Sequence, residues 1–456
     1  MFSIQNNREN LISIFAVSIM LMVAFKCEGQ QDLIIRIDSG IETAIPIAVV
    51  PFASLGSKNF FDLTEVIRND LKRTGQFTPI PVADMPSLPS SLATVNFKDW
   101  RVLGIENLLI GQLLEDGESG RLIIEFRLLD VFRGSQLLGF QVPTEPGNLR
   151  WSAHYIADLV YEELTGLRGA FGTRIVYVRS EKRDDGTKRY SLQVADSDGY
   201  EARGIFESSE PLLSPVWSPD GEAVAYVSFE KKKSTIYVQH LSTGRREEII
   251  TSKGLNSSPA WSPDGHRLAF TSSRDGNSEI YVYDFRTKLS QRLTHHSAID
   301  TEASWAPDGT RIAFTSDRGG GPQIYSMTLD STVPKRVTFN IGNYNSRARF
   351  SPDGRNLVLV NGWERGYRLG IFDMEKGSFR AITNGRLDES PSFSPNGVML
   401  IYAATGSVGS ELVSLSLDGS VRQQIRLKKG DIREPAWSPF LGATETRGGK
   451  SRRPKQ

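Results

Sequence analysis

The sequence has little of what catalysis, metal binding and covalent cross-linking require. Its 456 residues include one cysteine, Cys27, and five histidines. No Gly-x-Ser-x-Gly segment, the turn that presents the nucleophile of many hydrolases, occurs in the chain. The formal net charge is +1, so charge alone indicates neither a nucleic-acid partner nor a charged membrane. A binding protein is the class that these absences leave.

The chain also begins with an apolar run too short to cross a bilayer. Leu11 to Phe25 is apolar and falls short of the roughly 20 residues that a membrane span needs. Arg8 precedes the run, and Gly29 is a small residue suited to a cleavage point. We predict that residues 1–29 are a signal peptide, with no membrane insertion of the mature chain. An uncleaved anchor is the alternative.

The single cysteine raises a second question about the leader. Cys27 invites a lipoprotein interpretation, but Lys26 stands before it, where a lipidation site needs a small residue. Cleavage after Gly29 would leave a mature chain without cysteine, which suits an oxidising compartment.

One five-residue stretch recurs six times, at intervals of 43 to 45 residues. In chain order the copies are Trp217-Ser-Pro-Asp-Gly221, Trp261-Ser-Pro-Asp-Gly265, Trp305-Ala-Pro-Asp-Gly309, Phe350-Ser-Pro-Asp-Gly354, Phe393-Ser-Pro-Asn-Gly397 and the degraded Trp437-Ser-Pro-Phe-Leu441. Proline followed by Asp-Gly or Asn-Gly favours a tight turn, and short β-branched and aromatic runs follow most copies. A repeat of this length predicts four-stranded blades.

The two ends of the repeat region complement each other. Three predicted strands precede Trp217 without an inner strand, whereas the inner strand before Pro439 has no blade after it. Together they make a sixth blade, so residues 169–441 are predicted to form a closed six-bladed β-propeller, with strand 435–438 closing the first blade. The alternative, an open solenoid, would need a capping repeat at each end.

Residues 30–168 have a different texture. Strand-like runs such as Pro46–Phe52 alternate with amphipathic segments, and Asp62–Thr74 and Leu149–Leu164 have helical spacing. This predicts a small α/β domain before the propeller, with an extended segment at 30–41 and a disordered basic tail at 442–456. The fold class is therefore an all-β six-bladed propeller preceded by a small α/β domain.

Candidate metal ligands are few. His295 and His296 are adjacent and would point apart in an extended chain, which favours a surface loop over a metal site. Several acids precede the inner strands and could face the channel: Asp300, Glu302, Asp388, Glu389, Asp431 and Glu434. A cation bound there is one alternative, and solvated loop charge is the simpler one. We expect no metal and no cofactor.

The chain resembles the TolB family, the periplasmic propeller proteins of the Tol-Pal envelope system. The resemblance runs from about Leu33 to Leu441. The motif that recurs in the blades is not specific, because propellers of the prolyl-oligopeptidase type carry it too. More specific are Ile35–Gly40 followed by Pro46–Phe52, and Leu164–Phe171 leading into Thr173–Val178.

The resemblance implies a function and two partners. It implies a non-enzymatic, monomeric periplasmic adaptor that links the inner-membrane TolA complex to the outer-membrane lipoprotein Pal and supports outer-membrane integrity, envelope constriction and cell division. It also leaves room for other envelope proteins as partners, but none for a nucleic acid. The alternative is a propeller-type peptidase or ligand-binding enzyme, for which the sequence has no hydrolase domain.

The implied binding residues fall into two groups. The loops that enter the inner strands ring one mouth of the channel and vary while the turns repeat, as a recognition face should. There the predicted Pal contacts are Leu255, Asn256, Ser258, Thr301, Glu302, Asn345, Asp388, Glu389 and Arg433. In the N-terminal segment the predicted TolA contacts are Asp32, Leu33, Ile35, Arg36, Ile37 and Asp38. This segment is predicted to be exchangeable; the alternative is a permanent edge strand of the α/β domain.

Overall fold

The computed structural model describes residues 35–37, 44–54, 62–115, 121–331, 333–406, 409–425, 427 and 430–441. The predicted signal peptide and basic tail lie outside the described residues. Within the described ranges, no helix is long and apolar enough to cross a membrane.

The N-terminal region is a mixed sheet with helices on both faces. After β1 (Ile35–Ile37), its elements are β2 (Ile45–Val49), β3 (Ala53–Ser54), α1 (Leu63–Arg73), β4 (Phe77–Pro79), α2 (Phe97–Val102), β5 (Asn107–Glu115), β6 (Leu122–Asp130), β7 (Ser135–Thr144) and α3 (Leu149–Thr165). Short 3-10 turns lie at Val82–Asp84, Leu92–Thr94 and Pro146–Asn148. The strand order is β4-β2-β5-β6-β7, with β2 parallel to both neighbours and β5, β6 and β7 antiparallel.

Local chemistry sets the ends of the helices. The Asp62 carboxylate accepts hydrogen bonds from the backbone N–H groups of Thr64 and Glu65, at 3.0 and 3.2 Å, and so caps α1. Gly166 ends α3 in the left-handed conformation, with φ of 73°. Both helices lie within a residue or two of their predicted bounds.

Six four-stranded blades follow. Blade 1 contains β8 (Arg174–Lys182), β9 (Lys188–Asp196) and β10 (Arg203–Ser208); blade 2 contains β11 (Leu212–Trp217), β12 (Ala223–Ser228), β13 (Thr235–His240) and β14 (Arg246–Ile250). Blade 3 contains β15 (Asn256–Trp261), β16 (Arg267–Ser272), β17 (Glu279–Asp284) and β18 (Leu289–Arg292); blade 4 contains β19 (Asp300–Trp305), β20 (Arg311–Ser316), β21 (Gln323–Thr328) and β22 (Lys335–Arg336). Blade 5 contains β23 (Asn345–Phe350), β24 (Asn356–Trp363), β25 (Gly366–Asp373) and β26 (Phe379–Ala381); blade 6 contains β27 (Asp388–Phe393), β28 (Met399–Gly406), β29 (Gly409–Ser416) and β30 (Val421–Ile425). The predicted fold class is confirmed.

The last strand closes the ring. β31 (Asp431–Trp437) pairs antiparallel with β8 and completes blade 1. It begins four residues before Pro435, where the sequence places its start. The Trp437 indole donates a 2.7 Å hydrogen bond to Thr173 Oγ1, so the end of the propeller is attached to its beginning. One strand of each blade lines the channel, and these six strands contact one another around it. They are called the inner strands: β11, β15, β19, β23, β27 and β31.

The recurring stretch forms a hydrogen-bonded turn. In the first copy, Ser218 Oγ accepts from the N–H of Ala223 at 2.9 Å, and Gly221 N–H donates to the Ser218 carbonyl at 2.9 Å. Gly221 has φ of 75°, a conformation that glycine adopts without strain. The motif therefore forms the turn between the first two strands of the blade.

The N-terminal region and the propeller share one apolar core. Leu109 and Phe126 of the sheet belong to the same cluster of buried side chains as Tyr177 of blade 1 and Met399 of blade 6. Gly75, just after α1, lies against Ser416 of blade 6. These contacts place the N-terminal region at the end of the propeller that carries the turns, opposite the loops that enter the inner strands.

The N-terminal strand lies on the propeller. β1 pairs antiparallel with β30, the outermost strand of blade 6, with Arg36 opposite Arg422. The sheet of the α/β region has no part in this pairing, so the alternative, a permanent edge strand of that domain, is wrong. An outer blade edge offers unpaired backbone groups, and these are what a short extended segment can bind.

Candidate protein-binding mouth

Every inner strand carries a bulge at the same place. The bulged residues have positive φ, between 51° and 60°, although none is glycine: they are Ser214, Ser258, Glu302, Arg347, Ser390 and Glu434, together called the throat. The pairing register shifts at each of these bulges, for example between Thr301 and Ser304. Left-handed backbone is uncommon outside glycine, so six copies at one position indicate a built feature that re-aims these side chains.

The throat is held by one arginine. Arg347 Nε lies 2.8 Å from Glu302 Oε1, and its Nη1 donates to Ser390 Oγ at 2.5 Å. Its Nη2 lies 3.7 Å from Glu434 Oε1, which belongs to a blade that is not adjacent to blade 5. The guanidinium therefore bridges the channel, and Glu434 in turn accepts from the backbone N–H of Ser214.

Burial tunes the charges of the throat. It raises the pKa of Glu434, which Arg347 opposes, because a carboxylate is costly away from water. Burial by itself would lower the pKa of Arg347, but Glu302, Glu434 and Glu389 outweigh it and raise that pKa. Arg349, two residues along the same strand, has a pKa lowered by burial despite Glu302 nearby. The acids of the throat are thus paired with Arg347 and do not form a ring of free, solvated carboxylates.

Removing Arg347 should therefore destabilise the protein in a pH-dependent way. In Arg347→Ala we expect a loss of about 1–2 kcal/mol in the free energy of unfolding near pH 7.5, because Glu302 and Glu434 lose their cation. We expect the raised pKa of Glu434 to rise further. Between about pH 4.3 and that pKa the folded state then binds more protons than the unfolded state, so stability falls as pH rises through this window. Denaturant unfolding near pH 5 and 7.5 measures both values.

The matched control is Arg433→Ala in the same mouth. The Arg433 side chain is 48% exposed and lies 3.8 Å from Glu389, so its loss should cost under about 0.5 kcal/mol. An Arg347→Ala penalty that is the same at both pH values would contradict the charge-paired throat.

An apolar rim surrounds the throat. The residue just before each inner strand is apolar in five blades and glycine in the sixth, and these five residues, called the rim, are Pro211, Leu255, Ile299, Tyr344 and Leu387. Leu255 and Ile299 are 45% and 50% exposed. Tyr344 stacks edge-on against Tyr367, with ring centroids 4.9 Å apart. The other three rim residues, Pro211, Tyr344 and Leu387, are partly exposed. Apolar side chains exposed together at one surface indicate a protein-binding site.

Two family models and several known proteins match this chain. Residues 161–441 match the model of the TolB beta propeller domain, and residues 33–137 match that of the TolB amino-terminal domain. The Tol-Pal system protein TolB of Thioalkalivibrio sulfidiphilus is 51% identical over 426 residues, which cover 93% of this chain and 97% of the relative.

The chain belongs to the TolB family. The TolB of Xanthomonas oryzae pv. oryzae is 50% identical over 94% of this chain and 98% of its own. The crystal structure of TolB from Acinetobacter baumannii superposes with a TM-score of 0.82 at 38% identity, covering 90% of this chain and all of that one. The resemblance predicted from the sequence is confirmed.

Three of the predicted Pal contacts in this TolB family member are buried. Asn256, Asn345 and Asp388 each begin an inner strand and are at most 2% exposed. Asn256 Nδ2 donates to the carbonyls of Ser234 and Ser252, at 3.1 and 2.8 Å. Since their polar atoms serve the loops from within, we assign these three residues to shaping the mouth and not to direct contact.

The other predicted contacts lie where a partner could reach them. Leu255 is on the rim, Ser258 and Glu302 are in the throat, and Thr301 stands beside Glu302 with its hydroxyl 3.1 Å from that of Thr271. Glu389 and Arg433 face each other across neighbouring inner strands. The structure brings all six to one end of the channel.

The N-terminal contacts are described only in part. Asp32, Leu33 and Asp38 lie outside the described residues, whereas Ile35, Arg36 and Ile37 form β1. The prediction that these six residues bind TolA stays a prediction.

The individually predicted Pal contacts do not include Ile299, Tyr344 or Arg347; the first two lie in loops that the sequence assigns to the mouth, whereas Arg347 lies just beyond them. Each occupies a repeat position already singled out in another blade: Ile299 and Tyr344 match Leu255, and Arg347 matches Ser258 and Glu302. Aligning the six loops by the start of the inner strand would have found them.

The structure also locates two other candidates from the sequence, the acid Asp300 and the histidine pair His295 and His296. Asp300 is fully buried and pairs with Arg318 at 2.6 Å, so it faces its own blade and not the channel. His295 and His296 lie exposed in a surface loop, where His296 Nδ1 accepts from the N–H of Ala298.

Proposed function

We propose that this TolB family member is a non-enzymatic periplasmic adaptor of the Tol-Pal system. Its relatives are named Tol-Pal system proteins, and the mouth has the character of a protein-binding surface. In this proposal the mouth receives Pal, the N-terminal segment engages the C-terminal domain of TolA, and the chain links the two membranes during envelope constriction and cell division.

The observation that carries the proposal is the composition of the mouth. An apolar rim with about half of Leu255 and Ile299 exposed gives a partner something to bury. Within it, the carboxylates of Glu302 and Glu434 converge on Arg347, which fixes the throat in one arrangement. A pre-organised charged centre inside an apolar ring supports the binding of a folded partner with defined register.

The N-terminal segment is proposed as the second binding element because of where it lies. β1 has three residues and occupies an outer blade edge, where backbone hydrogen bonds hold it. A strand this short is exchangeable, and the same segment could add to the edge of a partner's sheet. The segment and the mouth belong to different surfaces, so one chain could hold both partners.

We expect removal of residues 30–37 to abolish TolA binding and to leave Pal binding intact. The mature chain and the truncated chain are each titrated by calorimetry with the TolA C-terminal domain and with Pal. The propeller should keep its melting transition, because only an edge strand is lost. A matched control lacks residues 445–456 at the other end and should bind both partners.

Three outcomes would count against the proposal. Retained TolA affinity in the truncated chain would place the TolA site elsewhere, and absence of Pal binding by the intact chain would remove the adaptor function. Hydrolytic turnover lost on substitution of Glu302 or Glu434 would favour the alternative, a propeller enzyme.

A further inference from the structure

A buried cluster of charged residues joins the α/β region to blade 1. From α1 it contains Asp70 and Arg73, each 2% exposed, and from α3 it contains His154, 1% exposed. Arg150 and Asp158 of α3, and Asp196 and Asp198 of the hairpin between β9 and β10, complete it. Charged residues are seldom this buried unless they are paired.

His154 stands between the two sides. Its Nδ1 is 2.6 Å from Asp70 Oδ2, and its Nε2 is 3.8 Å from Asp198 Oδ2. The first contact is within the N-terminal region, whereas the second crosses to the propeller. A charged imidazolium in this position attracts both carboxylates, and a neutral imidazole loses the attraction to Asp198.

Two arginines make parallel connections. Arg73 Nη2 donates to Ser197 Oγ of blade 1 at 2.8 Å and lies 3.1 Å from Asp70 Oδ1. Arg150 pairs with Asp198, and its guanidinium lies over the Tyr200 ring at 4.1 Å from the centroid. Each cation therefore touches the propeller from a helix of the α/β region.

The linker between the regions is part of the same cluster. The Asp158 carboxylate accepts from the N–H groups of Phe171 and Gly172, at 2.7 and 3.1 Å. A Cβ on Gly169 would come within 2.4 Å of Asp158, so the linker lies directly on α3. A change in the charge of Asp158 therefore changes the strength of the hydrogen bonds that hold the linker where the chain passes into the propeller.

We propose that this cluster is a pH-dependent interdomain latch, which holds the α/β region at a fixed angle on the propeller and loosens as the pH rises. The cluster contains four carboxylates and three cations; the cations and two of the carboxylates, Asp70 and Asp158, come from the α/β region, whereas Asp196 and Asp198 come from blade 1. Loss of the proton on His154, together with ionisation of Asp158 and Asp196, leaves the buried cluster with excess negative charge. The repulsion falls on the contacts that cross the junction.

The titrations point in one direction. Burial by itself would lower the pKa of His154, but Asp70 and Asp198 outweigh it and raise that pKa. Burial raises the pKa of Asp158 to about 7 and that of Asp196 to about 6; for Asp196, Asp198 and Glu201 add to the shift. All three groups hold protons more tightly when the protein is folded, so the stability they contribute falls as pH rises through these values.

Asp198 titrates outside this range. Although burial opposes it, His154, Arg150 and Arg73 lower its pKa to about 2, so it stays ionised throughout. A metal ion is a competing explanation, because ligand atoms of His154, Asp196 and Asp198 lie within 4.8 Å of one another. Arg73 and Arg150 already supply positive charge there, and an ion would have to compete with Arg150 for Asp198, which favours the latch.

The test measures a distance that spans the two regions. Spin labels are attached to Val102→Cys on α2, 87% exposed, and Lys376→Cys on blade 5, 75% exposed, in the mature chain. Double electron–electron resonance spectroscopy then gives the distribution of distances between the two labels near pH 6 and near pH 8.5. We expect one narrow population at the lower pH and a second population of roughly 10% or more at the higher pH.

Three variants separate the latch from general stability. Asp196→Asn removes one of the two carboxylates that ionise and should reduce the second population at the higher pH. His154→Gln should broaden it at both. His296→Gln, in an exposed loop, should behave like the parent chain.

Several results would overturn the proposal. They are equal distributions at the two pH values in the parent chain, broadening of Asp196→Asn at high pH as in the parent, or one equivalent of Zn²⁺ that restores the narrow distribution at high pH. If His154→Gln does not fold, the comparison of the parent chain with Asp196→Asn still decides.

Discussion

Deletion of the chain from Asp431 onward should abolish cooperative folding of the propeller. The deletion removes β31, and with it every pairing between that strand and β8. Ile432 and Trp437, both 5% exposed, leave the core that joins blades 1 and 6 to the α/β region. Loss of one such aromatic side chain alone costs about 3–5 kcal/mol, a large part of the stability of most domains.

The exposed edge adds a second effect. Without β31, the inner edge of blade 1 presents unpaired backbone groups, which are a template for aggregation. Thermal unfolding followed by circular dichroism should lose its sharp transition, and light scattering should rise. The matched control ends at Leu441 and keeps β31; it should melt with the full chain. A longer deletion that melts like the control would disprove closure through β31.

The double substitution Leu255→Arg with Ile299→Arg should weaken Pal binding by at least roughly 100-fold, or about 2.7 kcal/mol. This expectation rests on the proposed function. Both side chains are about half exposed on neighbouring blades, so they can change without loss of core packing. Two long cations in place of two apolar groups would have to be desolvated where the rim meets the partner.

The control for the rim is Val102→Arg, which introduces a cation at an 87% exposed apolar position on α2. Its Pal affinity should match that of the parent chain, and none of these variants should shift the melting temperature. Unchanged Pal affinity in the double variant, measured by calorimetry, would place the binding site outside the rim. Thr301→Arg with Glu302→Arg is a less selective choice, because Glu302 accepts hydrogen bonds from Arg347.

Much of the fold could be predicted because it depends on local chemistry. The Ser-Pro-Asp-Gly turn is set by residues adjacent in sequence, such as Ser218 and Gly221, and its recurrence gives the blade length directly. The first blade has three strands before Trp217 and no inner strand of its own, whereas the inner strand that ends at Trp437 has no blade after it. This mismatch is visible in the sequence and indicates closure. The rim was within reach too, since Leu255, Ile299 and Tyr344 share one repeat position.

The tertiary structure decided the contacts between residues that are far apart in the chain. Only the closed ring places Arg347 between Glu302 and Glu434, and only the packing of loops shows that Asn256, Asn345 and Asp388 are buried. The sequence pattern of residues 35–37 suits any sheet edge, so it could not choose blade 6. His154 lies on a helix whose spacing is ordinary, and its charged partners come from α1 and from a hairpin of the propeller. Local sequence determined the repeating scaffold, whereas the electrostatic pairing that gives the mouth and the junction their properties arises from side chains that meet only after the ring has closed.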